Sequence, residues 1–326
     1  MFSILRDFAG RTDAAWLVTF WCMQETVILA GGSGFLGQNL ARFLVHEGYS
    51  VVVLTRTPQR GNAVRSIEWN GRTRGSWMRF ISGAKAVVNL TGRSVNCLHD
   101  GKNRREILNS RLDSVRILAE AIRVAEQPPK AFIQATSLAI YGDSAERLND
   151  EYAPPGSDFS AEVCRRSEEL IHEIELSSTR RIILRLGLVL GRGGGVLAPL
   201  LRLTRFYLGG SIGNGRQYIS WIHADDLSEM IRWSIERPVV QGIYNATGPN
   251  PVTNREFMRE LRKVLNRPWS PPTPVFAVKV GAKFIMRTES SLALTGRRCI
   301  PRRFLQQGFE FRQPDLAPAL RDVLVQ

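Results

Sequence analysis

Continuously apolar runs alternate with stretches of helical spacing through the first two-thirds of the chain. Residues 26–30 (Thr-Val-Ile-Leu-Ala) are apolar throughout and end in glycine, the pattern of a strand buried on both faces. Residues 35–47 carry Leu36, Leu40, Phe43 and Leu44 at helical spacing. Further strands are predicted over 50–54, 86–90, 131–135 and 181–186. Helices are predicted over 104–126, stopped by Pro128-Pro129, and over 161–176. Repeated β-α-β units of this length require right-handed crossovers. They predict a Rossmann-type, doubly wound α/β fold whose parallel sheet is covered on both faces.

After Gly191 the pattern changes. Glycines cluster at 191–195 and 209–215, a short strand is expected over 217–222, a helix over 224–235 and a strand over 242–246. A proline-rich stretch at 269–274 precedes a last helical piece. The expected organisation is an NAD(P)-binding domain over 23–190, returning in part through 217–250, a substrate lobe over 191–270 and a helical domain over 271–326. Met23 stands four residues ahead of the first strand, so residues 1–22 are expected to be an extension outside the fold.

The glycine turn between the first strand and helix is where chemistry first appears. Gly31, Gly34 and Gly37 form G-x-x-G-x-x-G, with Ser33, Phe35 and Leu36 between them. Glycine there allows a sharp turn, close approach of a pyrophosphate and tight packing of helix on strand. The free N–H groups and the helix dipole then hold negative charge. At the end of the second strand, an acid would bind the ribose 2′-hydroxyl of NAD. This chain has Thr55-Arg56 instead, which suits the 2′-phosphate of NADP.

Composition excludes more than it adds. The formal charge of +14 is spread in short basic pairs without a basic-aromatic run, so no nucleic-acid partner is expected. No apolar run reaches bilayer-spanning length, and no membrane partner is expected. The four cysteines and four histidines are scattered, so no metal site is expected and a reducing cytoplasm is the expected compartment.

The glycine turn, together with Val88-Asn89-Leu90-Thr91-Gly92, Asn109-Ser110-Arg111, residues 189–195, Trp221-Ile222-His223-Ala224-Asp225-Asp226-Leu227 and Tyr244-Asn245-Ala246-Thr247-Gly248-Pro249, resembles the extended short-chain dehydrogenases/reductases. Within them it is similar to the atypical epimerase family of SDR39U1-like proteins. The tail at Ile300-Pro301-Arg302-Arg303-Phe304 looks like that family's C-terminal domain. The resemblance implies cofactor contacts at Asn89, Leu90, Gly92, Glu106, Arg111 and Val189, and a serine at the catalytic position, Ser137.

The family's Tyr-x-x-x-Lys pair is absent. Aligning Glu168 with the usual glutamate of that helix puts Ser160 at the tyrosine position and Cys164 at the lysine position. Neither replaces a phenol whose acidity a nearby ammonium increases. Tyr141 and His223 are the remaining acid/base candidates beside Ser137, and Arg185 and Arg192 are candidates for a substrate anion. Two functions follow. One is an NADP-dependent oxidoreductase or epimerase on a small polar substrate, with a homodimer as a further option. The other is an inactive NADP(H)-binding regulatory or scaffold protein, linked to cell division as its plastid and cyanobacterial relatives are.

Overall fold

The computed structural model describes residues 24–58, 64–267, 269–286 and 288–324. Residues 1–22 and Met23 lie outside them. The strands are β1 Thr26–Ala30, β2 Ser50–Thr55, β3 Arg65–Glu68, β4 Ala86–Asn89, β5 Ala131–Ser137, β6 Leu148–Asn149, β7 Arg180–Leu186, β8 Leu188–Leu190, β9 Tyr218–Ile219, β10 Trp221–His223, β11 Gly242–Ala246, β12 Val252–Thr253 and β13 Arg298–Cys299. Seven of them form one sheet in the order β11-β7-β5-β4-β1-β2-β3. Every pairing in it is parallel. The chain thus leaves β1 in opposite directions towards β2 and β4, and this switch point opens a crevice at their carboxyl ends.

The two-residue period of β1 decides what each face packs against. Val27 and Leu29 join Leu40, Ala41 and Leu44 of the helix Phe35–His46 and Met230, Ile231 and Ile235 of the helix Ala224–Glu236. Ile28 and Ala30 face the other way, onto Ile117, Leu118, Ala121 and Ile122 of the helix Gly101–Arg123 and onto Trp69 and Trp77. The Rossmann-type fold expected from the apolar runs is what forms. The edge strand β3 and the helix Asn254–Val264 were not anticipated. The second carries a readable signal, a capping box in which Thr253 and Glu256 satisfy each other's backbone donors. The run expected over 217–222 divides into β9 and β10, which pair with different strands.

The C-terminal stretch packs into the same cores. Phe304 and Phe309 lie with Tyr244 and Ile222 on one sheet face, and Leu316, Leu320 and Val323 close over Trp221, Phe257 and Leu261. Two buried carboxylates tie it down. Asp226 accepts from Arg312 N at 2.8 Å and Gln313 N at 3.0 Å. Glu151 accepts from Asn245 N at 3.1 Å and Arg303 N at 3.2 Å. Burial raises the pKa of both.

A third buried group orders the sheet's carboxyl end. Arg185 of β7 and Glu168 of the helix Phe159–Glu173 meet in a two-pronged ion pair, Nε–Oε1 3.0 Å and Nη2–Oε2 2.7 Å, both side chains almost fully buried. Burial works against the Arg185 charge, but the Glu168 contact outweighs it and raises the guanidinium pKa. Removing one partner strands the other charge in the core. Glu168→Ala is expected to lower unfolding free energy by about 3–5 kcal/mol. Urea denaturation measures this, and a change under about 1 kcal/mol would show the pair to be dispensable.

Candidate functional site

The glycine turn sits at the switch point, and Gly31, Gly32 and Gly37 have no free space for a side chain. Gly31 has φ +77°, and a Cβ there would fall 3.1 Å from the backbone of Thr91. A Cβ on Gly37 would fall 2.3 Å from Gly32 Cα, so the first turn of the helix Phe35–His46 rides directly on the backbone before it. Gly34 starts that helix with no side-chain cap. By contrast Asp100, Asp158, His223 and Thr253 each cap the helix that follows them. The first-turn N–H groups at 34–37 therefore lack a side-chain acceptor at the mouth of the crevice.

The flank formed by β2 is built to meet the turn. Thr55, buried at the strand's end, donates from Oγ1 to Ser33 Oγ at 3.0 Å. Arg56 follows as an exposed guanidinium with no polar partner among the described residues. On the β4 side Thr91 Oγ1 is buried against Gly31 and has no hydrogen-bond partner. Thr91 belongs to a motif quoted above, but nothing in the sequence singled out its hydroxyl.

Phe35 contributes differently from a phosphate contact. Its ring is wrapped by the glycine loop after β8: Cβ atoms on Gly191, Gly194 and Gly195 would lie 3.0, 2.9 and 3.1 Å from it. Leu36, Leu90 and Val189 face one another along the seam between the helices Phe35–His46 and Ala224–Glu236. Val189, paired with Ile222 across β8 and β10, is nearly buried there.

Several of the candidate side chains have partners within the protein. The Asn89 side chain is fully buried: it donates to Ser114 Oγ at 3.1 Å and Gln134 Oε1 at 2.8 Å, and accepts from Thr91 N at 3.0 Å. It shapes the end of β4 and has nothing left for a ligand. Glu106 is ion-paired with Arg93 rather than directed at the crevice. Arg111 lies against Gly92, where a Cβ would stand 2.9 Å from its Cζ, and donates to Arg93 O at 3.1 Å and Ile107 O at 2.9 Å. Burial lowers its pKa.

Ser137 ends β5 and opens a 3-10 turn, its Oγ accepting from Ala139 N at 3.1 Å. The hydroxyl proton stays available to a ligand oxygen. Cys164 is buried beside it. Burial, helped by the charge of Glu168, pushes the thiol up to about 11 despite opposing pulls from Arg111, the Ser137 backbone and Arg297. It is uncharged at neutral pH. Arg297, brought in from 133 residues beyond Cys164 in sequence, was not foreseen; its Nε is buried without a partner among the described residues.

Tyr141 is held in the core by its hydroxyl partners. Its ring is fully buried, and its hydroxyl accepts from Arg185 Nη1 and lies 2.8 Å from both Asp150 O and Asn245 Oδ1. Burial pushes the phenol above its ordinary pKa. His223 also meets protein groups: Nδ1 accepts from Asp225 N at 3.3 Å as a helix cap, and Nε2 lies 3.3 Å from Asp322 of the C-terminal helix Leu316–Leu324. Arg185 is spent on Glu168, and Arg192 donates to Asp322 O. Neither is placed for a substrate anion. Among the described residues no cluster suited to a metal is present, and no helix is long and apolar enough to cross a membrane.

A parallel sheet in this order, with a glycine turn and an uncapped helix at its switch point, defines a Rossmann-type nucleotide-binding protein. The chain belongs to the NAD dependent epimerase/dehydratase family, whose model matches residues 27–247; a domain of unknown function, DUF1731, matches residues 273–323. The mouse protein "Epimerase family protein SDR39U1" is 34% identical over 91% of this chain and 99% of its own length. The chloroplastic homologue of Arabidopsis thaliana is 32% identical, over 92% and 87%. The crystal structure of human epimerase family protein SDR39U1 with NADPH superposes with TM-score 0.81 at 32% identity, covering 91% of this chain and 98% of that one. The chain is SDR39U1-like along its whole matched length.

Gly37→Ala tests the turn itself. The added methyl has backbone in its way, and a loss of about 1–3 kcal/mol in unfolding free energy is expected. The same change at Gly48, where a Cβ meets nothing within 4 Å although φ is +88°, serves as the comparison by urea denaturation. A smaller loss at Gly37 than at Gly48 would refute the close contact.

Proposed function

We propose that the chain is an NADP(H)-dependent oxidoreductase or epimerase acting on a small polar substrate. The observation that carries the cofactor reading is the open cradle at 31–37 flanked by Arg56. A phosphorylated ligand there would meet the N–H groups of the first helical turn, and Thr91 Oγ1 offers a buried hydroxyl with no partner of its own. Arg56, exposed and unengaged where an NAD-binding chain would carry an acid, would pair with the 2′-phosphate. The human relative solved with NADPH supports the same choice. The three described cysteines are free thiols, which supports a reducing compartment such as the cytoplasm.

The nicotinamide ring, when bound, supplies reversible hydride transfer. This chain's own part is to place a substrate oxygen and hold its charge. Ser137 Oγ, fixed by the Ala139 N–H, donates its proton to that oxygen at the carboxyl end of β5. Arg111 and Arg297, whose charges both bear on the Cys164 position, provide positive potential where relatives with a Tyr–Lys pair place an ammonium. The neutral Cys164 thiol fills space between them without taking part in proton exchange.

Two measurements test this reading. Arg56→Ala is expected to weaken NADPH binding by about ten- to a hundredfold, as loss of a charge-assisted contact does, while leaving NADH binding nearly unchanged. Equal losses for both nucleotides in a fluorescence titration would remove Arg56 from the 2′-phosphate. Separately, a metabolite screen following NADPH absorbance should find turnover that Ser137→Ala reduces by at least about a hundredfold. Undiminished turnover in that variant would exclude Ser137 from the site.

A further inference from the structure

One face of the substrate lobe reverses the usual distribution of polar and apolar groups. Residues 205–213 run against residues 267–275: Thr273 N donates to Ser211 O and Gly213 N to Thr273 O, each at 2.9 Å, and Ser270 Oγ bonds Tyr207 O. The Arg267 guanidinium lies 5.2 Å from the Tyr207 ring centre. This contact brings Phe206, 77% exposed, and Trp269, 69% exposed, into one neighbourhood, with Leu208 also in solvent. The helix Val275–Val280 and the π-helical turn Gly281–Met286 continue directly from it.

Among the described side chains of that helical stretch the more buried ones are small: Ala277 and Val278 are half-buried and Ala282 is buried. The outward ones are large and apolar. Phe276 and Phe284 are each 71% exposed, and Val280 is exposed between them. An amphipathic helix of a globular protein places its large apolar side chains inward. Exposed aromatic groups gathered this way mark an interaction surface.

The charged residues of these segments are of one sign. Lys279 and Lys283 are exposed beside the aromatic groups, and Arg202 and Arg205 are exposed on the helix that ends at Phe206. No Asp or Glu occurs between Glu175 and Asp225, nor between Glu260 and Glu289. Two copies of such a face would repel each other, in a chain already at +14. A fluid anionic surface suits it better, because it accepts projecting aromatic rings without shape complementarity and neutralises the cations.

We propose that this face docks on the surface of a bilayer rich in anionic phospholipid. Phe206, Trp269, Phe276 and Phe284 insert at the headgroup level, and Lys279, Lys283, Arg202 and Arg205 bind the headgroup charge. The chain lies on the membrane rather than across it, which is why a search for spanning segments passes over the signal.

The test is co-sedimentation of the full chain with vesicles of phosphatidylcholine alone and of phosphatidylcholine mixed with phosphatidylglycerol. Binding to the mixed vesicles only, weakened by added salt, is expected. The double change Lys279→Ala and Lys283→Ala should weaken it by about thirtyfold, the effect of removing two cations near a charged surface. Phe276→Ser with Phe284→Ser should abolish it at an unchanged melting temperature, which separates loss of docking from loss of fold. Failure to sediment with the anionic vesicles at low salt overturns the proposal. So does wild-type sedimentation by the Phe276/Phe284 variant. A lipid-free dimer that this variant dissociates, with no vesicle binding by the parent chain, would assign the face to a second copy instead.

Discussion

The backbone of the helix Phe35–His46 passes so close to the turn before it that position 37 has no room for a methyl group, and the candidate site follows from that contact. Because Gly37 rests on Gly32, and Gly32 in turn on Val53, the N-terminus of the helix is held over the carboxyl edge of β1 and β2. The side chains of Thr55 and Ser33 then meet, and Phe35 is thrown forward into the glycine loop after β8. One steric constraint thus couples the first β-α unit to a loop some 155 residues later in the chain.

What the sequence made legible was the part of the molecule whose physics is local. The continuous apolar runs of β1, β4 and β5, the glycine spacing and the Thr55-Arg56 pair are each read within a few residues, and the sheet and its switch point follow. The edge strand β3 carries a polar pattern, Arg-Ser-Ile-Glu, with half its residues exposed, so no apolar period announces it. The side-chain roles were less legible because they depend on partners distant in sequence. Asn89 looks like a ligand residue until Ser114 and Gln134 use its donors. Tyr141 sits four residues after Ser137, yet Arg185 and Asn245 draw its hydroxyl into the core. His223 has two acids beside it in sequence, but its Nε2 is nearest Asp322, a hundred residues on.

The missing Tyr–Lys pair takes on a different aspect in three dimensions. Glu168, the residue aligned with the usual glutamate of the pair's helix, is the anchor of Arg185. Cys164 fills the lysine position with a small buried thiol, while positive charge arrives from Arg111 under Gly92 and Arg297 across the lobe. The epimerase-family fold is present, while the side chains at the two positions read as Tyr and Lys are Ser160 and Cys164.

The buried carboxylates of Glu151 and Asp226 carry a consequence for how the chain folds as it is made. Their hydrogen-bond donors include Arg303 N, Arg312 N and Gln313 N, which are made only after the strands of the main sheet. Until then two acids destined for the interior remain short of partners, and β6 waits for β13. The nucleotide-binding sheet can form early, since its pairings close by residue 246, but the finished core cannot. A nascent chain stalled before residue 298 would present a sheet with one face incompletely covered, the state most exposed to chaperones and proteases. Translation of residues 298–313, rather than of the glycine turn, sets the moment at which these carboxylates find their partners.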